Sequence, residues 1–296
     1  MEVLVFGAGS LGSLVGGLLA RAHDVTLVGR DPHTSAVAAQ GLSITGEIET
    51  TVSPAAATAV PGSGYDLAVV TVKAFDTPAA ADALTDAAVD ATLSLQNGLG
   101  NEERLAAALS GPVLAGTCTY GARLTDPGTV ACTGVGEVVL GPREGGSDGT
   151  ADRVGEAFER AGVETVVTAD MPRRLWAKLA VNAGINAATA LARVDNGALV
   201  DGPATDTARR AARETARVAR SAGIDLADAE AATAVIDVAE STAANRSSMR
   251  QDVEAGRRTE IDAINGAVVD RAEGAVPVNE TLAALVRAWE RERGLR

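Results

Sequence analysis

The first half of the chain alternates short apolar segments with longer segments whose apolar residues follow a helical spacing. Runs of branched and aliphatic residues bounded by turn-forming residues predict strands, at residues 3–6, 24–28, 67–72, 92–95 and 113–117. The first strand is followed by a predicted helix at 11–22. Strands that alternate with helices are typical of a doubly wound parallel sheet with helices on both faces. The pattern therefore predicts an α/β domain.

The pattern then changes to strands without intervening helices. Residues 129–133 and 137–140 predict two strands around a pair of glycines, which is typical of an antiparallel edge. An amphipathic helix that ends near residue 161 and a strand at 164–168 follow. We therefore expect the sheet to end shortly before residue 170.

The remainder of the chain is helical in character. Asp170-Met171-Pro172 interrupts the alternation, and the segments beyond it are rich in Ala, Arg and Glu, with glycines as breaks. We therefore expect two domains, an α/β domain at 1–169 and an all-helical domain at 170–296.

The composition excludes several classes of function. Over 296 residues the formal net charge is −13 and the pI is about 4.7, which disfavours nucleic acid and anionic membranes as partners. No apolar run reaches the length of a membrane span, and Met1 leads almost directly into a predicted strand. We therefore expect a cytoplasmic protein. Two cysteines without C-x-x-C spacing and two histidines predict no metal site.

Lysine is almost absent from the chain. Of the 26 basic residues only Lys73 and Lys178 are lysines. An acidic surface that is poor in lysine is typical of a halophilic protein, because salt screens the repulsion between carboxylates. A GC-rich genome would also replace lysine by arginine. Either cause raises the question of why two lysines were spared, and a chemical role that arginine cannot fill is one answer.

A glycine-rich motif follows the first predicted strand. The sequence Gly7-Ala8-Gly9-Ser10-Leu11-Gly12 is G-x-G-x-x-G at the start of a helix. In that context the glycines permit a tight turn, close approach to a pyrophosphate and close packing of helix on strand. The N-terminus of the helix adds a favourable dipole. The motif predicts a dinucleotide site.

The end of the second predicted strand indicates which dinucleotide is bound. Arg30 stands at the tip of the strand and suits a 2′-phosphate, which favours NADP. Asp31 follows and could instead bind the ribose of NAD. A solvated Arg30 without a ligand also stays open.

A polar stripe interrupts an apolar predicted helix in the second half. Lys178, Asn182 and Asn186 are four residues apart and therefore share one face of that helix. Asparagine is a poor helix former and a buried lysine costs desolvation energy, so the stripe indicates the wall of a polar site, although a satisfied structural network would show the same pattern. Lys73 and Asn97 follow predicted strands, where ligands bind in open α/β sheets.

These residues resemble the ketopantoate reductases (2-dehydropantoate 2-reductases) over nearly the whole chain. The segments that carry the resemblance are the glycine motif, 71–74, 96–98, 175–182 with 185–186, 196–197, 247–252 and 259–266. The resemblance implies a Rossmann-type N-terminal domain, a helical C-terminal domain and an active site in the cleft between them.

The resemblance also implies roles for individual residues. Lys178 matches the proton donor and Glu260 the active-site glutamate, which also lies at the cofactor; without the resemblance, Glu260 could be a helix-surface acid paired with Arg257. The other implied cofactor contacts are Lys73, Asn97 and Ala122. The implied substrate contacts are Asn97, Lys178, Asn182, Asn186, Asn196 and Ser248. Tyr120-Gly121 stands where the family often has His-Ala.

The predicted function is the NADPH-dependent reduction of 2-dehydropantoate to (R)-pantoate, a step toward pantothenate and coenzyme A. One alternative is a dehydrogenase of another small 2-oxo or 2-hydroxy acid. Another is a non-catalytic sensor that binds a dinucleotide. A small-molecule substrate is the expected partner, and the sequence leaves both a monomer and a homodimer open.

Overall fold

The computed structural model describes residues Met1–Arg296, which divide into two units. The first unit comprises Met1–Gln96 and Asn101–Met171, and the second comprises Asn97–Gly100 and Pro172–Arg296. The short segment Asn97–Gly100 therefore lies apart in sequence from the rest of its unit. None of the helices combines the length and the hydropathy that a membrane span requires.

The first unit contains all the strands of the chain. They are β1 (Glu2–Phe6), β2 (Asp24–Val28), β3 (Leu42–Gly46), β4 (Thr50–Val52), β5 (Ala55–Ala57), β6 (Leu67–Val70), β7 (Thr92–Ser94), β8 (Val113–Cys118), β9 (Gly121–Asp126), β10 (Thr129–Gly134), β11 (Val138–Pro142) and β12 (Thr165–Val167). Its helices are α1 (Ser10–Leu19), α2 (His33–Gln40), α3 (Thr77–Thr85), α4 (Asn101–Ala108) and α5 (Gly149–Arg160), with a 3₁₀ turn at Ala74–Asp76.

Eight strands form the main sheet, in the order β12-β11-β8-β7-β6-β1-β2-β5. Neighbours from β8 to β5 are parallel, whereas β11 is antiparallel to β8 and parallel to β12. Alternate residues of β1 enter different cores, because Leu4 packs on one face of the sheet and Val3 and Val5 pack on the other. The predicted α/β class with a doubly wound parallel sheet is confirmed.

A second sheet of four strands was not predicted. Its order is β4-β3-β10-β9, with β10 parallel to β3 and antiparallel to β9. The two strands expected near residues 129–133 and 137–140 both form, but the first belongs to this second sheet and the second belongs to the main sheet. They have antiparallel neighbours, although they do not pair with each other.

The second unit is helical, as expected. It consists of most of α6 (Met171–Ala192), then α7 (Thr205–Ser221), α8 (Asp228–Ser241), α9 (Ser248–Glu254), α10 (Ala267–Arg271) and α11 (Pro277–Glu292), with a 3₁₀ turn at Asn196–Leu199 and a π-helical turn at Asp262–Gly266. Its core is rich in alanine, which lets helices approach closely. A Cβ atom on Gly184 of α6 would lie 2.5 Å from Cγ2 of Val235 on α8.

Candidate active site

The glycine motif occupies the turn between β1 and α1 at the carboxyl edge of the main sheet. Gly7 has a φ of 113°, and a Cβ there would lie 2.7 Å from the backbone nitrogen of Val72. A Cβ on Gly12 would lie 2.2 Å from the carbonyl oxygen of Gly7 and 2.4 Å from Oγ1 of Thr71. Packing within the unit therefore requires glycine at both positions.

Gly9 differs from its two neighbours in the motif. A Cβ on Gly9 would meet only the carbonyl oxygen of Gly7, at 3.9 Å, so the fold itself has room for a side chain. Gly9 is the N-cap of α1, and the first turn of that helix carries no acidic residue. Open space beside unopposed helix N–H groups is what an anionic pyrophosphate requires.

Arg30 and Asp31, the two candidates for ribose recognition, follow β2 and differ in their contacts. Arg30 has a side chain that is 89% exposed, and its guanidinium forms an ion pair of 3.3 Å with Asp76. The Oδ1 atom of Asp31 accepts hydrogen bonds from the hydroxyls of Ser35 (2.6 Å) and Thr34 (2.8 Å) and from the backbone N–H of Ser35. The hydrogen bonds from Ser35 and Thr34 hold the pKa of Asp31 below its usual value. Asp31 thus stabilises the start of α2 by accepting these hydrogen bonds, and the side chain of Arg30 extends into solvent.

Two further predicted residues of the first unit lie near this edge. Lys73 is half-buried and directly precedes the 3₁₀ turn that carries Asp76, the ion-pair partner of Arg30. Ala122 lies on β9, and the same strand reaches the glycine motif through a hydrogen bond of 3.1 Å from the N–H of Leu124 to Oγ of Ser10. The hydroxyl of Ser10 is therefore engaged by the second sheet.

Sequence reasoning missed the role of His33 in this region. His33 is buried at the start of α2, where its Nδ1 accepts a hydrogen bond from the N–H of Gly128 at 3.1 Å. Its Nε2 then carries the proton and donates to Oγ of Ser13 on α1 at 2.9 Å. Burial lowers the pKa of His33. The neutral ring therefore connects α1, α2 and the turn before β10.

In the second unit, α6 carries the predicted polar stripe. Lys178 and Asn182 are half-buried, and Asn186 is only 6% exposed. The side-chain amides of Asn182 and Asn186 make no hydrogen bond within the protein. Neither amide is among the fully enclosed side-chain atoms that have no partner, so both groups are accessible to a ligand with donor and acceptor groups. This observation favours a binding surface over a satisfied structural network.

Asn196 also has a side-chain group without a hydrogen-bond partner. It lies in the 3₁₀ turn after α6 and is buried, and its Nδ2 donates to Oγ1 of Thr242 at 2.9 Å. Its Oδ1 atom is buried without any hydrogen-bond partner. The side chain is thus held in one orientation while one acceptor stays available.

The position of Ser248 is fixed by its buried neighbour, Ser247. Ser247 is the N-cap of α9, where its Oγ accepts hydrogen bonds from the N–H of Arg250 (3.1 Å) and from Oγ1 of Thr189 on α6 (2.7 Å). Ser248, the first residue of α9, is exposed. Ser247 therefore fixes the start of α9 to α6 and leaves the hydroxyl of Ser248 accessible.

Glu260 and Asn97 are 163 residues apart in sequence and meet in the second unit. Glu260 is 5% exposed, and its Oε2 accepts a hydrogen bond from Nδ2 of Asn97 at 3.4 Å. Glu260 is not on a helix surface, and Arg257 pairs with Asp252 instead, at 3.1 Å. The alternative interpretation of Glu260 as an acid paired with Arg257 is therefore wrong.

The backbone around Asn97 explains how this contact forms. Gly98 has a φ of 86°, and a Cβ there would lie 2.4 Å from the carbonyl oxygen of Ala263. The same carbonyl accepts a hydrogen bond of 3.2 Å from the N–H of Leu99. Glycine at position 98 thus lets the segment after β7 lie against the turn that follows Glu260.

Two family models and a full-length relative match this chain. The family model described as "Ketopantoate reductase PanE/ApbA" matches residues 3–145, and "Ketopantoate reductase PanE/ApbA C terminal" matches residues 170–290. A protein of Halobacterium salinarum named 2-dehydropantoate 2-reductase is 46% identical, with 99% of this chain and 100% of that protein covered.

Solved structures agree with the family models. The crystal structure of a PanE/ApbA family ketopantoate reductase from Ralstonia eutropha has a TM-score of 0.91 at 34% identity, covering 99% of this chain and 100% of that one. A D-mandelate dehydrogenase with NADH and anilino(oxo)acetate has a TM-score of 0.92 over the full length of both chains. Its identity of 24% shows a common fold only.

Proposed function

Because this chain belongs to the ketopantoate reductase family of oxidoreductases, we propose that it reduces 2-dehydropantoate to (R)-pantoate with NADPH. This reaction is a step toward pantothenate and coenzyme A. The full-length relative at 46% identity that bears the name 2-dehydropantoate 2-reductase carries the proposal.

The first unit has the features that a dinucleotide requires. The open space at Gly9 and the N-terminus of α1 fit a pyrophosphate, and Ala8, Ser10 and Leu11 complete the turn. Arg30 offers a planar, permanently charged fork to a 2′-phosphate. Its one ion pair, with Asp76, is largely exposed to solvent and is therefore weak.

The exposed guanidinium of Arg30, next to a partly engaged Asp31, supports NADPH over NADH. Oδ1 of Asp31 accepts three hydrogen bonds at the start of α2, so only the other carboxylate oxygen could bind a ribose 2′-OH, whereas the guanidinium of Arg30 is almost fully exposed. We propose that Lys73, Asn97, Ala122 and Glu260 make the remaining contacts to the cofactor. Lys73 would add positive charge at the same edge of the sheet as Arg30.

Lys178 is proposed to act as the proton donor. When bound, the reduced nicotinamide supplies a hydride to the keto carbon of the substrate. The electron pair of the C=O π bond then moves to the oxygen, and the ammonium of Lys178 stabilises that oxygen and gives it a proton. Water re-protonates the amine. General acid catalysis of this kind typically contributes about 10²- to 10⁴-fold to the rate.

The polar residues of the second unit are proposed to orient the substrate. Asn182 and Asn186 have unpartnered amides on the same face of α6 as Lys178. Asn196 adds a buried free acceptor, and Ser248 adds an exposed hydroxyl. Together with Asn97 they match the carboxylate and hydroxyl groups of a small hydroxylated 2-oxo acid. Fixed orientation of the keto carbon is what such contacts supply.

Steady-state oxidation of NADPH, followed by its absorbance in molar KCl, tests the proposal. We expect turnover with 2-dehydropantoate and much slower turnover with pyruvate and 2-oxoisovalerate, which lack the distal hydroxyl. Faster reaction with either of these acids would assign another 2-oxo acid as the substrate. The absence of turnover with all three, while NADPH binds, would indicate a dinucleotide sensor.

A further inference from the structure

A fully buried carboxylate of α11 lies next to the segment that carries Glu260. Glu290 is 0% exposed, and its Oε1 accepts hydrogen bonds from the backbone N–H and from Oγ1 of Thr259, both at 2.7 Å. Its Oε2 accepts a hydrogen bond from Nε of Arg296 at 2.9 Å. The carboxylate is therefore well satisfied, and both bonds of Oε1 go to the residue that precedes Glu260.

Thr259 connects Glu290 to the turn that follows Glu260. Its Oγ1 donates to Glu290 and accepts a hydrogen bond from the N–H of Ile261 at 3.2 Å. The carbonyl oxygen of Glu260 then accepts from the N–H groups of Ala263 and Ile264, each at 3.1 Å. Glu260 thus lies between two residues whose backbone N–H groups are both fixed, directly or through Thr259, by Glu290.

A second carboxylate supports the same turn from the outside. Asp262 accepts a hydrogen bond from Nε of Arg287 at 2.8 Å and contacts the guanidinium of Arg296. Burial alone would raise the pKa of Asp262, and the hydrogen bonds from Arg287 and Arg296 outweigh it and lower that pKa. Arg296 therefore bridges Glu290 and Asp262, and the π-helical turn begins at Asp262.

We propose that Glu290 is a positioning residue for Glu260, acting through Thr259. This inference rests on the proposed function of Glu260 in the reductase reaction. The energetics support it, because a buried ionic group is often no more stabilising than apolar residues of similar volume, whereas its bonds impose a single geometry. The geometry imposed here is that of the backbone on both sides of Glu260, whose carboxylate receives the hydrogen bond from Asn97.

Four substitutions separate the contacts. Glu290→Met removes every acceptor while keeping the volume, and Thr259→Val removes only the hydroxyl. Thr259→Ser restores the hydroxyl, and Glu292→Gln is the matched control because Glu292 is exposed on the same helix. A misplacement of about 1 Å can cost about 10²-fold in rate, so we expect kcat to fall about ten- to hundredfold in Glu290→Met and less in Thr259→Val. Thr259→Ser and Glu292→Gln should match the wild type.

A double-mutant cycle with Glu260→Gln distinguishes positioning from support of the fold. If Glu290 and Thr259 act through Glu260, Glu290→Met and Thr259→Val should cost less than about twofold in kcat in the Glu260→Gln background. Equal losses in both backgrounds would overturn the inference, as would a wild-type rate for Thr259→Val. Thr259→Val decides the question if Glu290→Met does not fold. A wild-type protein that does not turn over 2-dehydropantoate would instead overturn the proposed function, and the inference with it.

Discussion

The two units differ sharply in charge. The first contains 21 acidic and 8 basic residues, whereas the second contains 18 of each. The whole net charge of −13 therefore belongs to the unit that carries the dinucleotide motif. If the anionic cofactor binds at this motif, as proposed, it binds against a repulsive field, which makes the local positive groups important: the N-terminus of α1, Arg30 and Lys73.

The units also differ in how the sequence encodes their sites. In the first unit the motif works through the backbone, because Gly7 and Gly12 are required by contacts of less than 3 Å. In the second unit the proposed site consists of side chains with unused hydrogen-bonding capacity, such as Asn196, whose buried Oδ1 has no partner. A site formed by the backbone uses consecutive residues, whereas a site formed by side chains draws on residues that are far apart in sequence.

Replacement of Lys178 by arginine should have the largest effect. An ammonium has an ordinary pKa of about 10.4 and a guanidinium one above 12, so arginine keeps the charge but hardly donates its proton. We expect kcat to fall by about 10²-fold or more, nearly as far as in Lys178→Ala. Stopped-flow or steady-state kinetics measure this. If Lys178→Arg keeps more than about a third of the rate, Lys178 supplies charge alone.

Alanine at Gly12 and at Gly9 should separate folding from binding. Gly12→Ala places a Cβ 2.2 Å from a backbone oxygen, and we expect a loss of about 3 kcal/mol in the free energy of unfolding. Gly9→Ala meets nothing within 3.5 Å, so its thermal stability should stay near that of the wild type while NADPH binding weakens. Denaturant unfolding and fluorescence titration check both. Normal NADPH affinity in Gly9→Ala would show that the pyrophosphate binds elsewhere.

Arg30→Ala tests the local positive charge of the acidic unit. Loss of a charge-assisted contact to the 2′-phosphate should weaken NADPH binding about ten- to hundredfold and leave NADH binding nearly unchanged. Asp76→Asn is the matched control, because it breaks the same ion pair without removing the guanidinium. Equal weakening of both cofactors, or the same loss in Asp76→Asn, would assign Arg30 a structural role.

Salt should act mainly on the first unit. The Debye length falls from about 10 Å near 0.1 M to about 3 Å near 1 M, so repulsion among 21 carboxylates is screened. We expect KCl to slow hydrogen exchange in β1 and β6 more than in α7 and α11. Uniform slowing would indicate a general ion effect, and no slowing would favour genome composition as the cause of the acidic sequence.

The smallest expected effect concerns pH and His33. Because burial lowers its pKa in the folded state, the unfolded chain binds this proton first as the pH falls below about 6.5. The stability that the neutral ring provides is present above that pH and is lost as the pH falls through the folded-state pKa. Thermal unfolding of His33→Gln should show a weaker decline than the wild type between about pH 7 and pH 5. Parallel curves would assign the decline to the carboxylates.

Much of the first unit could be predicted from the sequence, because strands such as β1 and β6 are apolar and the glycine motif is contiguous. The second sheet could not, since β3 and β4 are short and partly exposed, and the pairing of β3 with β10 joins segments that are distant in sequence. The stripe on α6 follows from helical spacing. The contact of Asn97 with Glu260 and the role of Glu290 follow from tertiary packing alone.

The placement of Asn97–Gly100 has a practical consequence for engineering. The chain passes between its two units after Gln96, after Gly100 and after Met171, so no single cut separates them. A fragment that ended near residue 170 would carry Asn97 but not its partner Glu260. A chimaera that takes its helical half from another reductase should therefore exchange residues 97–100 together with everything from Pro172 onward.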